Sequence, residues 1–285
     1  MLQKYPAMSR LLRFPLTRIV LASLFVLSAV TIVQFLARLV RVEPHGVLAA
    51  VLTLLLAGSA CASYAGYVRW VERRPVRELA GRSAAAELLV GLGIGALLFA
   101  TTMLILRLTG ACAIGRGDHW SAVGDTLAAA VAAGCVEEVL ARAVVFRILD
   151  ESLGSVAALA ISAGLFGFAH AFNPGATVLS SIAIALEAGV LLAAAFLTTG
   201  RLWLPIGMHV AWNFTEGGVF GANISGSAAK GLLSSQCTGA NLLTGGSFGP
   251  EASLVAVVVC LAAGVALLEL ARRRGRLTPF LARRR

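Results

Sequence analysis

Eight stretches of this 285-residue chain stay apolar for about 20 residues each, the length that carries an α-helix across the hydrocarbon core of a bilayer. They cover residues 16–36, 47–68, 86–106, 122–148, 156–172, 178–198, 202–220 and 254–270. In lipid the backbone must satisfy its own hydrogen bonds, so runs of this length are read as helices. The composition agrees: 58% of residues are hydrophobic and 13% charged, where a soluble domain carries about 25% charged residues. The expected fold is all-α, a polytopic membrane bundle of about eight transmembrane helices. It forms a single integral membrane domain over residues 1–285, because the loops are too short for a second one. The fourth run exceeds one bilayer thickness, so it must tilt or project.

Basic residues set the expected topology. Lys4, Arg10, Arg13 and Arg18 precede the first run, which is too long for a signal-peptide core and lacks a small-residue cleavage site, so it reads as a retained span. With eight spans these four residues share a side with Arg69, Arg73, Arg74, Arg77, Arg82, Arg147, Arg201 and the seven arginines from Arg272 onward. The other side holds only Arg38, Arg41, Arg107, Arg116 and Lys230. Both termini are therefore expected in the cytoplasm. The formal charge of +10 is read as anchoring to anionic lipid and not as a nucleic-acid surface, because the arginines flank spans. The preference for arginine over lysine points to a GC-rich bacterial genome, and so to a bacterial plasma membrane.

The five cysteines divide similarly. Cys61, Cys135 and Cys260 fall in spans and read as packing residues. Cys112 and Cys237 fall in loops on the side away from the cytoplasm, where a disulfide persists, and are expected to pair. No CxxC or Cys/His metal spacing occurs.

The fourth run breaks its own rule. Glu137, Glu138 and Arg142 sit inside it, and each charge at mid-bilayer is unfavourable by roughly 2.5–3.5 kcal/mol on insertion scales. Glu138 and Arg142 are four residues apart and share a helix face, while Glu137 points about 100° away. One acid is then neutralised by the arginine and the other is left free to act as a base. In the fifth run Phe166 and His170 are also four apart, and Asn173-Pro174 ends the helix. In the seventh, His209 and Asn213 share a face and can offer two hydrogen bonds to a developing oxyanion. Each motif alone fits a structural role equally well: a helix-joining ion pair, a satisfied core histidine, or a polar contact between helices. Together they describe an intramembrane polar site.

Glu-Glu-x-x-x-Arg, Phe-x-x-x-His and His-x-x-x-Asn in this order resemble the motifs of the CPBP family, the CAAX protease and bacteriocin-processing or Abi intramembrane proteases. Thr199-Gly200-Arg201-Leu202-Trp203-Leu204-Pro205-Ile206 is also similar to that family's approach to its third motif. The resemblance covers about residues 127–220, within a core bundle taken as 122–220. It implies an endopeptidase acting on a membrane-associated protein or peptide, of CAAX type in the best-known branch. Glu137 with His170 would activate water, His209 and Asn213 would hold the oxyanion, and Glu138, Arg142 and Phe166 would support them. The family is labelled a metalloprotease family, but the resemblance favours water activated without a catalytic metal. Zinc held by Glu137, His170 and His209 stays open as the alternative.

Two more acids invite assignment. Glu187 is expected to pair with Arg142. Glu216 lies nearly on the face of His209 and Asn213, either supporting the site or sitting at a wet helix end. One geometric conflict stands. Counted from the cytoplasmic ends, His209 is about 10 Å deep and His170 about 20 Å. They meet only if the fifth helix starts outside the membrane, tilts or breaks. The rival functions are a catalytically silent immunity or partner-binding protein and a proton-coupled transporter. The transporter would call for inverted repeats and broken helices, and the sequence carries neither. The sequence assigns neither the substrate nor the oligomeric state.

Overall fold

The computed structural model describes residues 14–39 and 46–280. Lys4, Arg10, Arg13, Arg41 and Arg283–Arg285 lie outside the described residues. Each of the eight apolar runs is a helix: α1 Pro15–Leu39, α2 Val47–Glu72, α3 Ala84–Leu108, α4 Val123–Glu138, α5 Ser155–His170, α6 Val178–Thr199, α7 Trp203–Asn213 and α8 Leu254–Arg273. α4 continues without a break through π-helical turns over Val139–Phe146 into Arg147–Leu153, and α7 continues as π-helical Phe214–Val219. The chain is an integral membrane protein built as a helical bundle. Among the described residues five helices, α1, α2, α3, α6 and α8, are long and apolar enough by length and composition to cross a membrane. The other three, short or charged, are the three that carry the motifs.

Close backbone contacts fix the motif helices. On α3, Gly91 and Gly95 lie four residues apart against α7; a Cβ on either would run into the Leu204 or Met208 carbonyl. Gly207 of α7 returns the contact against Leu88 and Leu92. Such small-residue seams let two helices approach closely in a bilayer, where apolar burial against lipid gives little drive. α7 is thereby clamped one turn before His209.

The conflict over depth has a simple resolution. α4 runs on to Leu153, and Gly154, with φ 86°, turns the chain back into α5. Glu137 lies 17 residues before that turn and His170 16 residues after it, about 25 Å along each arm. The arms of this hairpin project about 15 Å beyond the start of α7, so His170 and His209 reach the same level. The fifth helix starts beyond the first residue of α7, at Ser155.

Ion pairs bind the projecting end to its neighbours. Glu72 of α2 takes Arg18 at 2.8 Å, Arg74 at 2.7 Å and Arg147 at 3.0 Å. Glu151 takes Arg18 at 2.8 Å and Arg147 at 2.9 Å. Near the C-terminus, Thr278 exchanges hydrogen bonds with Ser155 and donates to Asp150, fastening the tip of the hairpin. At the opposite end, β1 Cys112–Arg116 pairs antiparallel with β2 Leu233–Cys237, and a disulfide joins Cys112 to Cys237 as expected. Cys61, Cys135 and Cys260 are free.

Candidate active site

Three helices deliver the motif side chains to one point. Glu137 Oε2 lies 3.8 Å from His170 Nε2 and 3.9 Å from His209 Nε2. The second nitrogen of each ring is occupied. His170 Nδ1 donates to the Phe166 carbonyl at 2.9 Å, a bond within its own helix. His209 Nδ1 donates to Glu138 Oε1 at 3.0 Å. Both Nε2 atoms thus face Glu137, whose Oε2 has no hydrogen-bond partner within the protein.

The two adjacent acids separate as their phase on α4 requires. The Glu138 side chain is fully buried and that of Glu137 is 35% exposed. Glu138 Oε2 is 3.1 Å from Arg142 Nε, an ion-pair contact without the alignment of a hydrogen bond. Arg142 lies with its guanidinium 4.4 Å from the Phe166 ring centre, which also stacks 4.7 Å from His170. Phe166 is therefore a shared floor for the cation and the imidazole. The four-residue spacing assigns Glu138 to Arg142 alone. It also fixes the ring of His209, a role that helix periodicity within α4 could not reveal.

The expected ion pair between Glu187 and Arg142 is not made. Arg142 Nη2 donates instead to the Ala188 carbonyl at 2.8 Å, one residue along α6. Glu187 instead lines a small cavity together with Glu251. Glu187 sits in π-helical turns at Ala185–Gly189, and the residue of α6 that Arg142 reaches is the next one. Glu216 is not at a wet helix end; it is completely buried, with both oxygens unpartnered by hydrogen bonds.

His170 and Phe166 stand between two cavities. On one side, a groove of about 370 Å³ runs between α4 and α5 past Leu140, Val145 and Leu165 to Glu137. On the other, an inner cavity of about 30 Å³ is lined by His209, Asn213, Glu187, Ser225 and Glu251 as well as His170. Ser225 and Glu251 carried no signal in the sequence. Both come from the segment between α7 and α8, where no periodicity assigns a face. Ser225 donates its backbone N–H and its hydroxyl to Glu251 Oε1, each at 2.7 Å. Burial pushes the Glu251 carboxyl above its ordinary range, and these hydrogen bonds oppose that push.

As placed, Glu137, His170 and His209 do not close on a metal. Ligands of a tetrahedral zinc with bonds near 2.0–2.2 Å lie about 3.4 Å apart, closer than the contacts here. Among the described residues no group of three or more His, Cys, Asp or Glu is arranged to hold an ion.

A half-buried acid facing two imidazoles at the end of an apolar groove defines the class: a site equipped for acid–base chemistry inside a helical bundle. Residues 119–215, about a third of the chain, match the family described as type II CAAX prenyl endopeptidase, Rce1-like. The matched segment contains every residue of the three motifs, so the match and the motifs' resemblance fall on the same stretch. No curated protein and no solved structure matches the chain.

Proposed function

We propose that this protein is an intramembrane endopeptidase that hydrolyses a peptide bond of a membrane-associated protein, with CAAX-type prenylated proteins as the substrate class. The convergence of Glu137 Oε2 with both Nε2 atoms carries this reading. A gap of nearly 4 Å on each side takes a water that donates to Glu137 and is steered by His170. The substrate's apolar portion lies in the groove of α4 and α5, which presents the scissile carbonyl to that water. Glu137 takes the proton as the oxygen attacks. His209 and Asn213 face the oxyanion that forms. Because His209 spends Nδ1–H on Glu138, it donates through Nε2 as an imidazolium, and the Glu138 carboxylate holds that charge. Zinc enters no step.

The proposed orientation puts the end with Arg147 and Arg201 in the cytoplasm. The disulfide at the opposite end supports it, since disulfides persist outside the reducing cytosol. The test compares membrane proteomes of cells carrying the wild type and Glu137→Gln. An uncleaved membrane-anchored protein that accumulates only in the variant supports the reading. Identical proteomes, with no cleavage of a farnesylated CAAX peptide by purified wild type, would sink it.

A further inference from the structure

The groove between α4 and α5 has polar side chains from Glu137, Ser162, His170 and Asn173 in its lining. Glu137 and His170 are assigned to the chemistry above. The Ser162 hydroxyl donates to the Leu159 carbonyl at 3.4 Å, within its own helix. Asn173 is left over. It is half-buried, three residues beyond His170, and its carboxamide makes no hydrogen bond among the described residues.

The turn that follows α5 does not call for an asparagine side chain. Backbone groups close it: the Asn173 N–H donates to the His170 carbonyl, and the Asn173 carbonyl accepts from the Ala176 N–H, each at 3.1 Å. Pro174 stops the helix unaided, having no N–H to continue the ladder. The carboxamide therefore has its whole hydrogen-bonding capacity left for something that enters the groove.

A peptide that enters brings its own backbone. His170 and Ser162 are eight residues apart on α5, about 12 Å, which matches three or four residues of extended chain at about 3.3 Å each. Such a segment takes its N–H and C=O groups out of water, and each one left unpaired is unfavourable. Leu140, Ala141, Val145, Leu165, Phe166 and Ala169 offer them no side-chain partner. A carboxamide carries donor and acceptor together, the complement of a peptide unit.

We propose that Asn173 is a substrate-binding residue, whose carboxamide pairs with one peptide unit of an extended segment in the groove, beside the bond that Glu137 and His170 address. This rests on the peptidase reading above. It divides recognition in two: the polar end of the groove reads the substrate's main chain, and the apolar walls take its apolar groups. Asn173 belongs to none of the three motifs; the groove alone assigns it.

The test uses the intact purified protein and a farnesylated CAAX peptide. Asn173→Ala should raise KM about 10-fold with kcat within about twofold of wild type, because it removes binding made equally in the ground and transition states. Esters then locate the contact. Replacing one amide beside the scissile bond at a time removes its N–H. At the position facing Asn173, the ester should weaken cleavage by wild type about 10-fold and leave Asn173→Ala no weaker than before. Should Asn173→Ala yield too little folded protein, the same cycle is run on Asn173→Ser. Unchanged KM overturns the proposal, as do ester and side-chain losses that add at every position. A fall in kcat at unchanged KM also overturns it, since that would tie Asn173 to the reacting groups or to packing. Wild type that cleaves nothing would remove the peptidase reading. The Kd of the same peptide for wild type and Asn173→Ala then decides the binding role alone, a tenfold difference supporting it and equal values ending it.

Discussion

Two charged clusters lie along α4, ten residues apart, and they are built on opposite principles. Around Arg147, carboxylates and guanidinium groups are matched across α1, α2 and α4, with Glu72 alone taking three arginines. Around Glu137, the pairing is deliberately incomplete: Glu137 Oε2, Glu138 Oε2 and Arg142 Nη1 lack a hydrogen-bond partner in the protein. Both are buried polar networks in a membrane protein. The saturated one can only hold helices together, whereas the unsaturated one has capacity left for water and substrate. Counting leftover hydrogen-bonding capacity therefore separates scaffold from chemistry where charge alone does not.

Removing the base is the severest way to break that contrast. Glu137→Gln keeps the shape and should abolish cleavage, a loss of at least about 10³-fold, while insertion and melting temperature stay near wild type. Activity that survives in this variant would remove Glu137 from the mechanism. Glu138→Gln should behave differently. It leaves Arg142 buried with a weaker partner and frees the His209 ring, so thermal unfolding should show a loss of about 3–5 kcal/mol along with reduced rate. A variant as stable as wild type would mean that Glu138 does not carry the ion network. Asn213→Ala should lower kcat by about 10²–10³ with little change in KM, measured under saturating peptide.

The saturated cluster should answer only in stability. Arg147→Met ought to lower the unfolding midpoint while the specific activity of the folded fraction stays unchanged; a selective loss of kcat would tie that end to the chemistry. Breaking the disulfide with Cys112→Ser should have a smaller effect, about 2–4 kcal/mol, again without a change in kcat. Thiol labelling that is equal with and without reductant would show that the pair is not oxidised. The smallest expected effect is none: chelation should leave cleavage intact. Stoichiometric zinc, with activity lost on its removal and restored on its return, would establish a metal mechanism and require Glu137, His170 and His209 to close up.

What the sequence made legible was local. Spacings of four residues placed Glu138 with Arg142, Phe166 with His170 and His209 beside Asn213, because a regular helix repeats every 3.6 residues. The eight helices were equally legible from their apolar length, and the disulfide from the two loop cysteines. Legibility ended where regularity did. Arg142, Glu187 and Glu216 each sit in π-helical turns, and there the contacts between helices, such as Arg142 with the Ala188 carbonyl, could not be counted from the sequence. The bond from His209 to Glu138 crosses two helices, and the reach of Ser225 and Glu251 into the inner cavity depends on how a long loop folds back. Neither leaves a periodic trace.

The Gly154 turn makes the interval between Glu137 and His170 a ruler. One residue inserted into α5 would turn His170 by about 100° and shift it about 1.5 Å, taking its ring off the base. Packing cannot absorb that change, because Gly167 lies against Ser181 and Ala185 of α6 and holds the arm in register. Side chains along both arms are free to drift so long as the interval is kept, whereas a frameshift of one position within either arm is catastrophic. A second residue added to the opposite arm would not compensate, since Glu137 must also stay within reach of His209 on α7, outside the hairpin.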